Sequence, residues 1–117
     1  MKTHCMSLRE APFLMIASGE KSFELRLFDE KRKTVEVGDV IEFICVTDGY
    51  PKVRCRVTSL HPFPDFATLY ASLPLLQCGY TRETVASASP KDMEAYYPPE
   101  EQARYGVLGI GIERIGI

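Results

Sequence analysis

Residues 19–26 of this chain have the sequence GEKSFELR, which places a glycine, a lysine, a glutamate and an arginine close together. Apolar and polar residues alternate from Phe23 to Leu27, and a period of two is typical of a half-buried β-strand. Glu24 and Arg26 are therefore predicted to project from one face of that strand, beside each other. Lys21 lies just before the strand. The stretch thus predicts two cations and one anion held on a rigid element.

The residues before this stretch are predicted to form a strand and then a helix, at residues 2–8 and 9–18. Pro12 would lie in the first turn of the helix, where a missing N–H costs nothing. Gly19 follows the last helical residue, a position at which a left-handed C-cap favours glycine. The helix should therefore end at Gly19 and the chain should turn into the strand that carries Glu24.

The remainder of the chain predicts three more strands with short helices between them. Runs of apolar residues predict strands at residues 40–46, 52–60 and 107–115. Turn residues at 47–49 predict a hairpin between the first two of these strands. Cap residues predict short helices after Asp65 and Ser89, and one more helical turn follows at residues 100–104. Residues 75–87 show no clear pattern. Five strands that do not alternate strictly with helices favour the α+β class, as a small mixed β-barrel with short helices at its rim.

The last predicted strand carries glycine at two alternate positions. Gly109 and Gly111 share one face, and apolar side chains occupy the other. Glycine inside a strand often marks a place where another backbone approaches closely. We therefore expect main chain from a neighbouring segment against this face.

Length and composition limit the domain count and the classes of function. The chain has 117 residues, 45% hydrophobic and 26% charged, which predicts one globular domain over residues 1–117. The formal net charge is −2, whereas a domain that binds nucleic acid through bulk charge is usually basic. An anionic partner must therefore meet a local positive patch. Since no apolar run approaches the roughly 18–20 residues that cross a bilayer, and the first residues do not resemble a signal peptide, we expect a cytoplasmic protein without a membrane partner.

The cysteines and histidines show no spacing typical of a metal site. No Cys-x-x-Cys pair occurs among Cys5, Cys45, Cys55 and Cys78, and the two histidines lie far apart. In a reducing compartment we expect free thiols, although pairing by tertiary approach stays open. No metal and no other cofactor is predicted.

Together with its surroundings, the stretch at residues 19–26 resembles the G-x-K-x-x-E-x-R signature of the ASCH domain family, whose members have a PUA-like β-barrel fold. Residues 37–41 (VGDVI) and the tyrosine- and glycine-containing residues 96–110 agree with this resemblance, which extends over essentially the whole chain. The resemblance implies a cleft on the barrel lined by the motif residues. It also implies RNA or a nucleotide-like small molecule as the ligand.

One branch of this family is hydrolytic and removes the acetyl group from the exocyclic amine of acetylated cytidine. Its lysine falls on Lys21, its motif arginine on Arg26, and its threonine nucleophile on Glu24. A carboxylate cannot replace a hydroxyl nucleophile that a neighbouring base activates; Ser22, predicted on the same strand face, is the hydroxyl that could serve in its place. A small hydrolase acting on a modified nucleoside or on single-stranded RNA is therefore the alternative, with Lys21 and Glu24 as its catalytic residues. Whether the protein is an enzyme stays open.

The residue types indicate what each candidate can contribute to ligand binding. Arg26 can bind a phosphate or a base edge bidentately, and Lys21 supplies a point charge. Glu24 can orient both cations or accept a hydrogen bond from an exocyclic amine. Tyrosines can stack on bases and a further arginine can contact phosphate; the candidates are Tyr96, Tyr97, Tyr105 and Arg104.

Plainer interpretations of the same residues stay open. Glu24 and Arg26 can form an ordinary ion pair beside a solvated Lys21, and an exposed pair contributes only about 0–1 kcal/mol. The tyrosines can be packing residues. The barrel can also act as a protein–protein adaptor, which no feature of the sequence favours.

Overall fold

The computed structural model describes residues 1–115, in which five strands form one curled sheet with the order β1-β3-β4-β5-β2. The strands are β1 (Thr3–Leu8), β2 (Phe23–Leu27), β3 (Val40–Cys45), β4 (Val53–Phe63) and β5 (Val107–Arg114). β1 runs parallel to β3, and the other neighbouring pairs are antiparallel. This mixed half-barrel confirms the predicted α+β class and the PUA-like barrel.

Short helices accompany the sheet, and their ends follow the predicted signals. The α-helices are α1 (Glu10–Ser18), α2 (Phe66–Ser72) and α3 (Pro99–Tyr105), and a 3-10 helix spans Pro90–Ala95. Gly19 ends α1 with a φ of 86° and donates its N–H to the Ile16 carbonyl. Asp65 caps α2 by accepting from the Thr68 N–H, and Ser89 begins the 3-10 helix with a capping box. None of the helices within residues 1–115 has the length and apolar character needed to cross a membrane.

β4 continues to Phe63, three residues past the predicted end at residue 60. Its pairing with β5 shifts register after Val57 and then extends to Phe63, whereas β3 pairs only with residues 53–56. Pro62 therefore lies where β4 has a neighbour on one side only. A proline is tolerated there because its missing N–H can face the unpaired side.

Gly109 and Gly111 lie at closely packed positions, as predicted. The atoms nearest to them belong to side chains. A Cβ on Gly111 would lie 2.1 Å from Ser59 Oγ, and a Cβ on Gly109 would lie 2.5 Å from Leu73 Cδ1. The predicted neighbouring backbone is present at Gly109, where a Cβ would lie 3.8 Å from the His61 carbonyl oxygen, but the nearest atoms at both glycines belong to side chains. The space that a β-carbon would fill is used by β4 and by the residue that follows α2.

The buried apolar residues form two clusters that lie on opposite faces of β5. The first contains Leu108 and Ile110 with Phe13 of α1. The second contains Val107 together with Leu25 and Leu27 of β2, and it includes apolar residues of α2. Because Leu25 and Leu27 face the second cluster, the alternate residues of β2 project from the opposite face.

Asp39 joins the turn before β3 to the first strand. It is 2% exposed, and its carboxylate accepts from the N–H groups of Lys2 and Glu36 at 2.9 and 3.0 Å. The Lys2 N–H contacts Oδ1, whereas the Glu36 N–H and His4 Nε2 both contact Oδ2, His4 at 2.9 Å. Gly38 precedes Asp39 with a φ of 94°, in the turn that leads into β3. The buried carboxylate of Asp39 thus pairs with three polar groups at once.

Candidate functional site

Lys21, Glu24 and Arg26 meet in the structure and form a cluster of three charges, here called the charged trio. Lys21 Nζ donates to Glu24 Oε1 over 2.8 Å, and Arg26 Nε donates to Glu24 Oε2 over 2.7 Å. The exposed fractions of the three side chains are 9%, 3% and 13%. Glu24 and Arg26 do lie on one face of β2, as predicted. The alternative in which Lys21 is solvated is wrong, because this lysine is buried.

The turn after α1 and the neighbouring segments hold the trio in place. The Lys21 N–H donates to the Met15 carbonyl of α1, which fixes the lysine directly after the helix cap. Gly79 lies over the lysine side chain, since a Cβ there would lie 3.7 Å from Lys21 Cδ. Arg26 Nη2 donates to the Ser7 carbonyl over 3.0 Å. Because β1 and β2 are the two edge strands of the sheet, Arg26 links one edge to the other.

Burial and ion pairing act in opposite directions on the protonation of Glu24 and of Arg26. Burial alone would raise the pKa of Glu24, but the charges and hydrogen bonds of Lys21 and Arg26 outweigh it and lower that pKa. Burial alone would lower the pKa of Arg26, but the Glu24 carboxylate and Tyr97 outweigh it and raise that pKa. Glu24 and Arg26 are therefore charged at neutral pH. With two cations and one carboxylate, the trio carries one excess positive charge.

The trio lines a cavity of about 520 Å³. Pockets for small-molecule ligands typically measure roughly 300–1,000 Å³, so the cavity has the right size for such a ligand. Its walls come from β1, α1 and β2, from residues 78–80, and from residues 92–97. Four tyrosines also line it: Tyr70, Tyr80, Tyr96 and Tyr97. The cavity therefore combines aromatic walls with buried charge.

Three side chains on one wall form a hydrogen-bonded chain that the sequence did not reveal. The Tyr80 hydroxyl donates to Asp92 Oδ2 over 2.7 Å, and the hydroxyl oxygens of Tyr70 and Tyr80 are 2.7 Å apart. Because a carboxylate only accepts, Tyr80 uses its proton on Asp92 and Tyr70 must donate to Tyr80. Burial and these two hydrogen bonds raise the pKa of Tyr80 well above its ordinary value. The chain remains neutral at its tyrosines and connects α2 to the 3-10 helix.

Arg9 and Tyr96 are exposed residues of the cavity lining that contact each other, and their position is here called the mouth of the cavity. The guanidinium carbon of Arg9 lies 4.8 Å from the centre of the Tyr96 ring, a cation–π distance. The exposed fraction of Tyr96 is 51%, and Arg9 is exposed as well. The structure thus places the predicted residue Tyr96 at the cavity. Arg9 was missed, since a lone arginine before a helix gives no signal in the sequence.

Two other predicted residues, Arg104 and Tyr105, do not line this cavity. Both belong to α3, where Tyr105 packs against the second apolar cluster. The Arg104 guanidinium carbon lies 5.1 Å from the centre of the Tyr105 ring. Tyr97 does line the cavity, but its ring also stacks on Phe66 with centres 6.2 Å apart. Tyr97 therefore contributes packing as well as a cavity wall.

The cysteines of the described part of the chain are free thiols, and Cys78 lines the cavity. Burial, opposed by the charge of Lys21, raises the pKa of the Cys78 thiol to about 11. A thiol with that pKa is protonated at neutral pH and is a poor nucleophile. Within residues 1–115, no group of three or more histidine, cysteine, aspartate or glutamate side chains can hold a metal ion.

Comparison with known protein families matches residues 6–116 to the ASCH domain. The chain belongs to the ASCH domain family. In this ASCH domain, the lysine, glutamate and arginine of the stretch at residues 19–26 are the three residues of the charged trio. The resemblance inferred from that stretch is confirmed.

Two solved structures are similar to this ASCH domain over almost its whole length. The crystal structure of hypothetical protein PH0355 is 28% identical with a TM-score of 0.79, and the alignment covers 98% of this chain and 100% of that one. The solution NMR structure of protein PF0455 from Pyrococcus furiosus is 27% identical with a TM-score of 0.75, covering 98% and 99%.

A third similar structure is the crystal structure of ASCH from Zymomonas mobilis, with a TM-score of 0.67. It is 12% identical, and the alignment covers 95% of this chain and 66% of that one. This third likeness supports the fold alone. No curated protein matches the chain.

Proposed function

We propose that this ASCH domain binds RNA or a nucleotide-like small molecule in the cavity that the charged trio lines. One observation carries the proposal: buried cations in excess over carboxylate face a cavity of about 520 Å³ with four tyrosines in its walls. Cationic side chains bind phosphate or base edges, and aromatic rings stack on bases. The chain as a whole carries a net charge of −2, so a local site is needed to attract such a ligand.

Tyr96 and Arg9 are proposed to contact the ligand at the mouth. Their cation–π contact is exposed and contributes about 0.5–1 kcal/mol. Stacking of a base on an aromatic ring contributes roughly 1–3 kcal/mol. When a base replaces Arg9 over the Tyr96 ring, the free energy gained by stacking therefore exceeds that lost with the cation–π contact. The Arg9 guanidinium can then bind a phosphate.

Replacing Tyr96 with alanine should weaken binding of a short single-stranded RNA or of a nucleoside monophosphate by about 5- to 150-fold, which corresponds to the stacking energy of one base. The urea unfolding midpoint should remain nearly unchanged because the ring is 51% exposed. Fluorescence anisotropy at low salt measures the affinity, and the affinity should fall as salt is raised.

Tyr50 provides the matched control for this experiment. It is 41% exposed and does not line the cavity, so Tyr50→Ala should leave the affinity unchanged. Equal losses in both variants, or no detectable binding of any nucleotide or RNA at low salt, would argue against the proposed function.

The hydrolase alternative has less support from the geometry of the site. Both carboxylate oxygens of Glu24 accept from cations, and a carboxylate is not the hydroxyl nucleophile that the hydrolytic branch uses. The Ser22 hydroxyl donates to Gln77 Oε1 over 2.9 Å, and Ser22 does not line the cavity. Within the described residues, the side-chain hydroxyls that line the cavity belong to Ser7 and the four tyrosines.

We therefore expect no release of acetate when the purified protein is incubated with acetylated cytidine, and no cleavage of single-stranded RNA. Chromatography of the nucleosides and gel analysis of the RNA check both expectations. Product that forms with the unchanged protein and disappears in Lys21→Ala would establish the hydrolase instead.

We also propose a cytoplasmic location. The four cysteines are unpaired, and three of them are buried as thiols. This state is typical of proteins that fold in a reducing compartment, where RNA and nucleotides are present as partners.

A further inference from the structure

The charge balance of the cavity points to a particular chemical group. Lys21 and Arg26 share the single carboxylate of Glu24. The wall also holds one more carboxylate, Asp92, and one more cation, Arg9, so one positive charge stays in excess over the whole lining. An uncompensated charge is costly when it is buried. The cavity therefore favours an anionic group that balances the excess cation.

The hydrogen-bond inventory agrees with this charge balance. Among the described residues, one of the three Nζ hydrogens of Lys21 is donated to Glu24. Two of the five guanidinium hydrogens of Arg26 are donated, one to Glu24 and one to the Ser7 carbonyl. Both residues line the cavity, so donors that these bonds leave over are available to a ligand there. Both carboxylate oxygens of Glu24 accept hydrogen bonds from the two cations. The groups of the trio that can bind a ligand are therefore the N–H donors of Lys21 and Arg26.

We propose that Lys21 and Arg26 bind a terminal phosphate, and that the ligand of this ASCH domain ends in a phosphate monoester at that point. The inference rests on the proposed function and names the group that the trio recognises. The side chains of Lys21 and Arg26 are 9% and 13% exposed, so they contact only a group that enters the cavity. An internal phosphodiester has two ester arms that must both leave the cavity, whereas a monoester has one. A monoester also carries about −1.5 to −2 charges at neutral pH, more than a diester.

The same arrangement assigns a direction to the ligand. With its phosphate beside Lys21 and Arg26, a nucleotide directs its base away from the buried trio. The exposed ring of Tyr96 lies at the mouth, where that base can stack. Phosphate recognition and base stacking are thus separate contributions from separate residues.

Calorimetric titration of the whole chain tests the proposal with ligands that differ only at the phosphate. The ligands are a nucleoside, its 5′- and 3′-monophosphates, the methyl diester of each monophosphate, and inorganic phosphate. We expect at least one monophosphate to bind at least tenfold more tightly than the nucleoside and its own methyl diester. A short RNA with and without a terminal phosphate distinguishes an RNA end from a free nucleotide as the source.

Lys21→Gln removes the excess charge and leaves Glu24 paired with Arg26. This variant should lose the tenfold preference for the monoester. Lys52→Gln is the matched control, because Lys52 is exposed and does not line the cavity; it should keep the preference. If Lys21→Gln does not fold, the comparison of ligands on the unchanged chain decides the question.

The outcomes separate this inference from the proposed function. Equal affinity for the nucleoside and both monophosphates would overturn the phosphate site and leave the proposed function standing. Binding of inorganic phosphate and of sugar phosphates, with no gain from a base and no effect of Tyr96→Ala, would overturn the proposed function and leave the phosphate site standing. Absence of binding by every ligand would overturn both.

Discussion

Replacing Glu24 with glutamine should destabilise the domain by about 3–5 kcal/mol, because the substitution leaves two buried cations without their shared carboxylate. The three side chains are between 3% and 13% exposed, so water cannot compensate. Small domains are stable by only about 5–15 kcal/mol, and the variant should therefore lose a large part of its stability. Urea unfolding at neutral pH, followed by circular dichroism, measures the difference.

Two comparisons isolate the cause of this loss. Glu42→Gln breaks a looser pair, in which Glu42 Oε2 and Arg54 Nε are 3.7 Å apart and the side chains are 25% and 52% exposed. It should cost no more than about 1 kcal/mol. Lys21→Gln should cost less than Glu24→Gln, because it leaves one cation facing one carboxylate. If Glu24→Gln and Glu42→Gln prove equally stable, the trio does not behave as a buried cluster.

Acidification should unfold the protein in part through Asp39. The hydrogen bond from His4, and those from the N–H groups of Lys2 and Glu36, outweigh burial and lower the pKa of Asp39 well below its ordinary value. A carboxyl group with a depressed native pKa contributes stability that is fully present above its unfolded pKa of about 3.9 and is lost as the pH falls through the native value. Glu24, whose pKa is also lowered, acts in the same direction. Stability should therefore decline from about pH 5 downward.

Asp39→Asn should reveal this contribution. It should reduce stability at pH 7 by about 2–4 kcal/mol, since three donors lose their buried, charged acceptor, and it should flatten the decline at acid pH. Asp48→Asn, in the exposed turn between β3 and β4, is the control and should leave both quantities unchanged. Unfolding curves measured from pH 7 to pH 2 test the prediction. A decline with the same slope in Asp39→Asn as in the unchanged protein would show that other groups titrate.

The features that the sequence predicted well depend on local chemistry. Gly19 ends α1 because only a residue without a β-carbon adopts its φ easily, and Asp65 caps α2 through its own side chain. Glu24 and Arg26 share a face because the period of a strand is two. Lys21 comes before the strand, so its burial depends on the turn after α1 and on Gly79, which are far apart in sequence.

The features that the sequence did not predict depend on contacts between distant segments. Tyr80 lies in the stretch of residues 75–87 that showed no pattern, and it meets Tyr70 and Asp92 only in the folded chain. Tyr105 is aromatic like Tyr96, and each lies at the C-terminal end of a short helix, but Tyr105 packs against an apolar cluster and Tyr96 lines the cavity. Two residues of the same type cannot be assigned to different environments from the sequence. Their environments are decided by how the helices are arranged around the sheet.

The sheet is open between its edge strands β1 and β2, and the cavity lies beside this opening. Ser7 and Leu8 from one edge, and Leu25 and Arg26 from the other, line it. The Arg26 guanidinium spans the two edges by its bond to the Ser7 carbonyl. A ligand that binds the remaining donors of Arg26 would contact a side chain that already joins both edges, so occupancy and closure of the barrel are thermodynamically linked. A bound molecule would complete the circumference of the barrel. In its absence, the two edge strands β1 and β2 should move apart more readily than any hydrogen-bonded pair of strands in the sheet.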